Sequence, residues 1–410
     1  MMPWKLNVLK SFYFSSLVLL IVASAYSQTR TELQLKDLSP GDYPRMNRIS
    51  VSLLPNEVEK IHNTIGVKLK FTSPGIAVNE IRPDSGTLEL RGATSLAFRR
   101  KSYSIKLREK ALFNLTDDTL DIKNFFAVSL NMDKNYIRNS IALEVLPMMK
   151  IHVPPHCYAD LRLNNSSEGV YMVYYPPADY VINECGATFI LRRGYHESID
   201  NTHSKDLSNT QERNLKKKFG NIYNRILFNN RGTKLLAKLA ETLDMKEYFD
   251  WVIFNYIFQN GDYTDEIFFY WDPAINKFKI MPWDLDDLFQ KYPHEGRETR
   301  SETLGEKLLY SLEDKLDIAI ADDPVLYAEY LKEFRRFITE FDTEKLRTVL
   351  EKVYFRVYLY FSDPEIISQS KYDKYGLANL ENLKKDIKNI YQTVSDRMLI
   401  LQNTLKSLGY

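Results

Sequence analysis

The hydrophobic positions of this chain change their period about halfway along it. From residue 47 to 195, apolar residues alternate with polar ones or gather in short runs between glycine and proline breakers. Val51-Ser52-Leu53-Leu54, Gly66-Val67-Lys68-Leu69-Lys70-Phe71, Gly86-Thr87-Leu88-Glu89-Leu90 and Tyr103-Ser104-Ile105-Lys106-Leu107 read as strands. So do residues 158–163 and 169–174, and the turn-rich Asn164-Asn165-Ser166-Ser167 between them predicts a hairpin. One helix is expected in this half, over residues 136–149. Residues 196–235 start polar and charged and read as a junction; Lys216-Lys217-Lys218 fits a solvated helix face better than an anion site. From residue 236 the period becomes helical. Met245, Tyr248, Phe249, Val252, Ile253, Tyr256 and Ile257 keep helical spacing, while Trp251, Phe254 and Phe258 fill the other faces. That helix is apolar nearly all round, so it should be buried, with Gly261 as its stop. Phe268-Phe269-Tyr270-Trp271 and Lys277-Phe278-Lys279-Ile280 flank a turn and predict a second hairpin. Three more helices are expected after it, with Asp323-Pro324 and Asp363-Pro364 as start signals. The fold class is α+β, with strands first and helices after.

The N-terminus changes the expected location. Lys5 and Lys10 precede an uncharged apolar run over residues 12–25, which closes in Ala23-Ser24-Ala25 and Ser27-Gln28. That order predicts a signal peptide over residues 1–27 and a mature protein that is secreted, periplasmic or held at the cell surface. No later stretch is apolar enough to span a membrane. The expected organisation is then an extension over 28–46, a β-rich lobe over 47–195, a junction over 196–235 and a helical lobe over 236–410.

Charge excludes one class of partner. The chain has 55 Lys and Arg against 54 Asp and Glu, and loss of Lys5 and Lys10 with the leader leaves 53 against 54. A general nucleic-acid binder would carry a clear basic excess. Cys157 and Cys185 are the only cysteines; a disulfide between them and a pair of buried thiols are both compatible with export.

The densest candidate chemistry is acidic. Asp262 leaves the apolar helix, with Asp265 and Glu266 close behind, and Pro282-Trp283-Asp284-Leu285-Asp286-Asp287 follows one hairpin later. A hairpin returns the chain to its start, so Asp284 and Asp286 would approach Asp262. On an extended segment, Asp284 and Asp286 would point to one side. Carboxylates converging beside Trp283 and Phe289 repel one another unless a cation lies between them, and oxygen-only ligands suit Mg2+, Mn2+ or Ca2+. Phosphoryl transfer uses such a set. Helix caps and solvated turns would also account for these acids. A basic constellation lies upstream: Arg91-Gly92 ends one strand, and Arg99-Arg100-Lys101-Ser102-Tyr103-Ser104-Ile105-Lys106 leads into the next. Lys101 shares strand parity with Tyr103, and Lys106 does not, so at least one lysine faces a different surface. A strand lysine in a cleft is a usual nucleotide-phosphate partner, and a solvated basic edge is the alternative.

Together these residues resemble the CotH kinase family. Arg91-Gly92-x-x-Ser95 with Phe98 and Lys101-Ser102-Tyr103-x-x-Lys106 is similar to its opening motif. Leu130-Asn131-Met132-Asp133 with Ile137-Arg138-Asn139 resembles its next block, and Asn164 through Gly169-Val170-Tyr171 its hairpin. Asp262 and Pro282-Trp283-Asp284-Leu285-Asp286 resemble its two acidic motifs. These blocks stand in family order across roughly residues 50–290. The resemblance implies an atypical protein-kinase-like fold, with ATP held between a β-rich N-lobe and a mainly helical C-lobe. It implies Asp262 as catalytic base; Lys106, Lys101 and Arg91 as nucleotide contacts; and Asp284, Asp286 and Glu266 as ligands for Mg2+ or Mn2+. The implied partner is a secreted or surface protein whose Ser or Thr hydroxyls receive the γ-phosphate. Three positions depart from the family pattern. Tyr175 stands where a Glu is usual, Glu266 and Ile267 where an Asn is usual, and Gln290 where a Gly is usual. These departures supply the alternative, a non-catalytic structural or adhesive surface protein. A calcium-dependent glycan-binding module would rest on the acids and aromatics alone. No HExxH or Gly-x-Ser-x-Gly pattern supports a zinc or serine hydrolase.

Overall fold

The computed structural model describes residues 33–35, 45–81, 84–115, 118–194, 197–294 and 307–410. The expected signal peptide, residues 1–27, lies outside them. The chain divides into a short N-terminal unit, Met1–Lys36, and a second unit, Asp37–Tyr410, which holds every element named below.

Seven strands close into a barrel: β1 (Asn47–Ser52), β2 (Lys70–Val78), β3 (Asp84–Arg91), β4 (Ser102–Asn114), β5 (Thr119–Val128), β6 (His156–Leu163) and β7 (Ser166–Tyr174). Their order is β1-β2-β3-β4-β5-β7-β6, and parallel pairing of β1 with β6 closes the ring, Ile49 opposite Leu161. Alternation turns one face of each strand inward. Ile49, Val51, Leu88, Leu90, Tyr103, Ile105, Phe125, Leu161, Tyr171 and Val173 fill the interior. The β6–β7 turn is the expected hairpin. Asn164 and Asn165 take positive φ, 48° and 71°, as a two-residue turn of this hand requires. Asn164 also clamps the end of β1, accepting from Leu53 N and donating to Leu53 O, both at 2.8 Å. Beneath β7, the buried guanidinium of Arg100 donates to Glu168 O at 2.6 Å and pairs with Asp373, which ties the barrel to the C-terminal region.

A second sheet of order β11-β10-β8-β9 is built from β8 (Phe189–Arg193), β9 (Ile199–Ser204), β10 (Ile267–Asp272) and β11 (Lys277–Pro282). The hairpin β10–β11 falls where the sequence predicts it, with Ile267 opposite Pro282. The helices are, in chain order, α1 (Pro55–Asn63), which packs Ile61 into the barrel core, α2 (Arg138–Val145), α3 (Pro177–Asn183), α4 (Asn209–Asn221), α5 (Gly232–Ala240) and α6 (Met245–Phe258). Next come α7 (Lys315–Asp322), α8 (Pro324–Glu340), α9 (Thr343–Ser362), α10 (Pro364–Ser368) and α11 (Leu380–Ser407). The architecture is mixed α+β, rich in strand at the N-terminal side and in helix at the C-terminal side. Helix α6 is buried nearly all round, as its composition predicts, with Lys246 its one exposed residue. Asp323 and Asp363 cap α8 and α10 through Val325 N at 3.0 Å and Glu365 N at 2.9 Å.

Several local expectations change. The strand expected at 66–71 begins only at Lys70, and the helix expected at 136–149 breaks at Val145 into a tighter turn. The polar stretch after 196 carries β9 and α4, with Lys216-Lys217-Lys218 on the helix. Helices after 282 outnumber the three expected. Gly261 is not the cap of α6; Gln259 supplies the left-handed residue, φ 49°. Cys157 sits in the barrel core and Cys185 beside the second sheet, both as free thiols. Among the described residues no helix is long and apolar enough to cross a membrane.

Candidate active site at a carboxylate-lined recess

Two stretches of backbone build the site by running side by side. After α6 the chain passes Gly261 while the segment after β11 passes Asp287. Phe289 N donates to Phe258 O at 2.8 Å, Gln290 N to Gln259 O at 3.0 Å and Gly261 N to Asp287 O at 2.9 Å. A Cβ on Gly261 would stand 2.2 Å from Asp287 Oδ2 and 2.7 Å from Gln290 Cγ. A side chain here would displace the Asp287 carboxylate and the Gln290 side chain, which gives the glycine a role apart from helix capping.

The turn that follows carries three acids. Asp262, Asp265 and Glu266 each offer an oxygen, and these oxygens lie within 4.8 Å of one another. Two consecutive arginines of β8 hold the turn's backbone. Arg193, fully buried, donates from Nε to Thr264 O at 2.8 Å and pairs with Asp314 at 2.9 Å. Arg192 donates from Nε to Asp265 O at 2.8 Å and pairs with Glu266 Oε1 at 2.8 Å. Behind the turn, Tyr248 and Tyr263 both donate to Asp317 at 2.9 Å.

Hairpin β10–β11 brings the second acidic stretch back, and Trp283 N donates to Glu266 O at 3.0 Å. The segment is not extended as expected, because Asp284 takes a left-handed conformation with φ 52°. Leu285 is buried between the two aspartates. Asn139 Oδ1 receives Leu285 N at 3.0 Å and Tyr174 OH at 3.2 Å, while Asp133 holds Arg138 N and Asn139 N at 2.9 Å. Arg138 donates to Asp286 O at 3.2 Å. The stretch from Leu130 to Asn139 therefore works as a clamp on the second acidic loop.

Electrostatics record the crowding. Burial and neighbouring Asp265 push Asp262 up to about 6, with Asp284 and Asp287 adding to this and His294 opposing. Burial and Asp284 hold Glu266 well above the usual carboxylate range, against Arg192. Asp284 is raised by the protein packed around it, opposed by Arg91 and Arg192; solvent still reaches it, so its desolvation is partial. Asp286 is raised well above its ordinary value by burial, then by Asp284, Asp133 and Asp287. Charges of one sign this close favour the protonated forms, and a bound cation would reverse that.

The basic residues separate. Arg91, at the end of β3, lies over the Phe126 ring at 3.7 Å and near Trp283 at 5.4 Å. Burial lowers it to about 10, opposed by Asp284, Tyr174 and Glu266, so its charge sits against the acidic loops. Lys101 does not. Its fully buried ammonium donates to Leu96 O at 2.8 Å and to Phe98 O, within its own loop. Lys101, expected as a nucleotide contact, is thus held in its own loop, apart from the acidic residues. Lys106 is exposed on the outer barrel wall, paired with Thr87 and Asn124, one pleat from Ser104 and its partner Phe126. It therefore shares the wall that carries Arg91, as strand parity predicts.

Of the expected residues, the structure gathers Asp262, Glu266, Asp284 and Arg91, sets Asp286 at the side facing Arg138, and leaves Lys101 out. The sequence reading missed Arg192, Asn139 and Arg138 as working parts. The departures from the family pattern also have structural roles. Glu266 takes Arg192 as its counter-ion, Gln290 donates to Asp287 at 2.8 Å, and Tyr175 packs beside Tyr180. The donor set is all oxygen, and Glu266 Oε2 is buried with no hydrogen-bond partner among the described residues, which fits a hard divalent cation.

No curated protein matches the chain. The sequence profile described as CotH kinase protein matches residues 88–401, which includes every residue of the recess. The chain therefore belongs to the CotH kinase protein family.

Proposed function

We propose that this chain is an exported, ATP- and divalent-metal-dependent protein kinase that phosphorylates Ser or Thr hydroxyls of secreted or surface proteins. The observation that carries the reading is the convergence of Asp262, Asp265 and Glu266 within 4.8 Å, backed by Asp284 and faced by Arg91. In this reading the barrel is the N-lobe of a two-lobe kinase-like fold and the helical region its C-lobe. Glu266 and Asp284 hold Mg2+ or Mn2+, with Asp286 and Asp265 beside them; the ion supplies neutralisation of phosphate charge. Arg91 meets phosphate, and Lys106 reaches in from the wall. Asp262, raised to about 6 and 35% exposed, accepts the proton of the attacking hydroxyl and returns it to solvent near neutral pH. The test is transfer of labelled phosphate from ATP with Mn2+, to the chain itself or to a casein-like acceptor. Activity is expected in the wild type and absent in Asp262→Ala. An inactive wild type, or activity that survives the substitution, removes the reading.

Two observations favour a second reading, a structural or adhesive surface protein that keeps the fold without turnover. Lys101 is committed to its own loop and Glu266 already has a cation in Arg192. Thermal-shift titration separates the two: a kinase is stabilised by ATP with Mn2+, a non-catalytic surface protein by neither.

A further inference from the structure

Arg192 is placed to do more than hold a turn. Its Nε donates to the backbone carbonyl of Asp265 at 2.8 Å, which fixes the guanidinium plane. Its Nη2 faces carboxylate oxygens, Glu266 Oε1 at 2.8 Å and Asp265 Oδ2 at 3.4 Å, and the side chain remains 26% exposed. Arg91 approaches from the barrel wall, close enough for the charge of Arg192 to act on it. Both act on Asp284, and both act on Glu266. Two guanidiniums from strands a hundred residues apart thus flank two carboxylates. A guanidinium fork fits carboxylate and phosphate alike. Once Glu266, through its unpartnered Oε2, and Asp284 share their charge with a divalent cation, their hold on the Nη edge of Arg192 weakens while Nε keeps its grip on Asp265 O. The loosened edge then faces the recess with its position already set.

We infer that Arg192 is a second phosphate-binding residue of this recess, its Nη edge kept paired by Glu266 until a metal-bound diphosphate group arrives. The inference rests on the kinase reading for its location, not for its test. The probe is pyrophosphate, titrated calorimetrically into the full chain with and without Mn2+. With Mn2+, Arg192→Gln is expected to weaken pyrophosphate about ten- to hundredfold, the worth of hydrogen bonds between charged groups. Arg192→Lys is expected to recover part of the loss, as a point charge without the fork. Without metal, Glu266→Gln is expected to bind pyrophosphate several times more tightly than Asp262→Asn, which removes a carboxylate from the same recess but leaves the partner of Arg192 in place, because an amide holds the guanidinium edge less tightly than a carboxylate; a purely structural Arg192 leaves the two variants alike. A folded Arg192→Gln that binds as the wild type does overturns the inference, and so does a wild type that binds no pyrophosphate. Should Arg192→Gln fail to fold, the Glu266→Gln comparison decides: metal-free binding no tighter than that of Asp262→Asn overturns it. The kinase reading fails separately. Pyrophosphate binding that depends on Arg192, in a wild type that transfers no phosphate, removes the kinase and leaves the anion site. An active wild type whose pyrophosphate affinity ignores Arg192 does the reverse.

Discussion

Replacing Asp262 by Asn should make the metal-free protein more stable at neutral pH. In the folded state Asp262 keeps its proton up to about pH 6, whereas its ordinary value is 3.8. Between those values the unfolded chain has lost the proton and the folded chain has not. Stability therefore falls as pH rises from about 4 to 6 and stays low above that. The raised value corresponds to about 3 kcal/mol at 1.36 kcal/mol for each pKa unit. With 35% of the side chain exposed, solvent screening reduces the expected contribution to about 1–2 kcal/mol. Asp262→Asn carries no titrating proton, so its advantage over the wild type should be smallest near pH 4.5 and grow to that amount at pH 7.5. Urea unfolding in EDTA at pH 4.5, 6.0 and 7.5 gives both curves. Millimolar Mn2+ should then close the gap at pH 7.5 by stabilising the wild type. A difference that stays constant across pH, or a variant less stable at pH 7.5, would refute the electrostatic account of the recess.

Gly261→Ala should lower stability by about 1–3 kcal/mol, the usual cost of forcing a methyl into packed structure, and should weaken Mn2+ binding as the Asp287 loop shifts. Denaturant midpoints and a Mn2+ titration check this, and a variant equal to the wild type in both would mean that the loop yields freely. Lys101→Met should cost about 1–3 kcal/mol by leaving Phe98 O without its donor and Leu96 O with Gly66 N alone, with no change in nucleotide affinity. Lys106→Ala should stay within about 0.5 kcal/mol in stability and weaken ATP binding. The reverse pattern in melting and ATP titrations would restore Lys101 as the phosphate contact.

Local features were the legible ones. The Asn164-Asn165 turn, the buried helix α6 and the return of Asp284 towards Asp262 each depend on residues near one another in the chain, where period and turn chemistry suffice. The barrel was not legible, because its closure pairs β1 with β6 across more than a hundred residues, and no pattern encodes a partner at that distance. Strand β5 escaped notice for another reason. Its inward residues switch from Leu120 and Ile122 to Phe125 and Ala127, so the alternation breaks where β4 carries extra residues between Lys106 and Ala111. Lys101 and Arg192 show the limit for the site. Side-chain type made Lys101 a candidate phosphate partner that the path of the 96–98 loop commits elsewhere, and Arg192 drew no notice because only a strand without a turn signal places it.

Closure of the barrel through its first strand sets a rule for shortening the protein. A chain begun at β3 would lose both the antiparallel partner of β3 and the parallel partner of β6. Two open rims of unpaired amides would then be presented to other molecules, a template for intermolecular pairing. The wall that carries Arg91 would become one of those rims, so the recess itself would be the first casualty. Any expression boundary placed after residue 47 trades solubility for brevity.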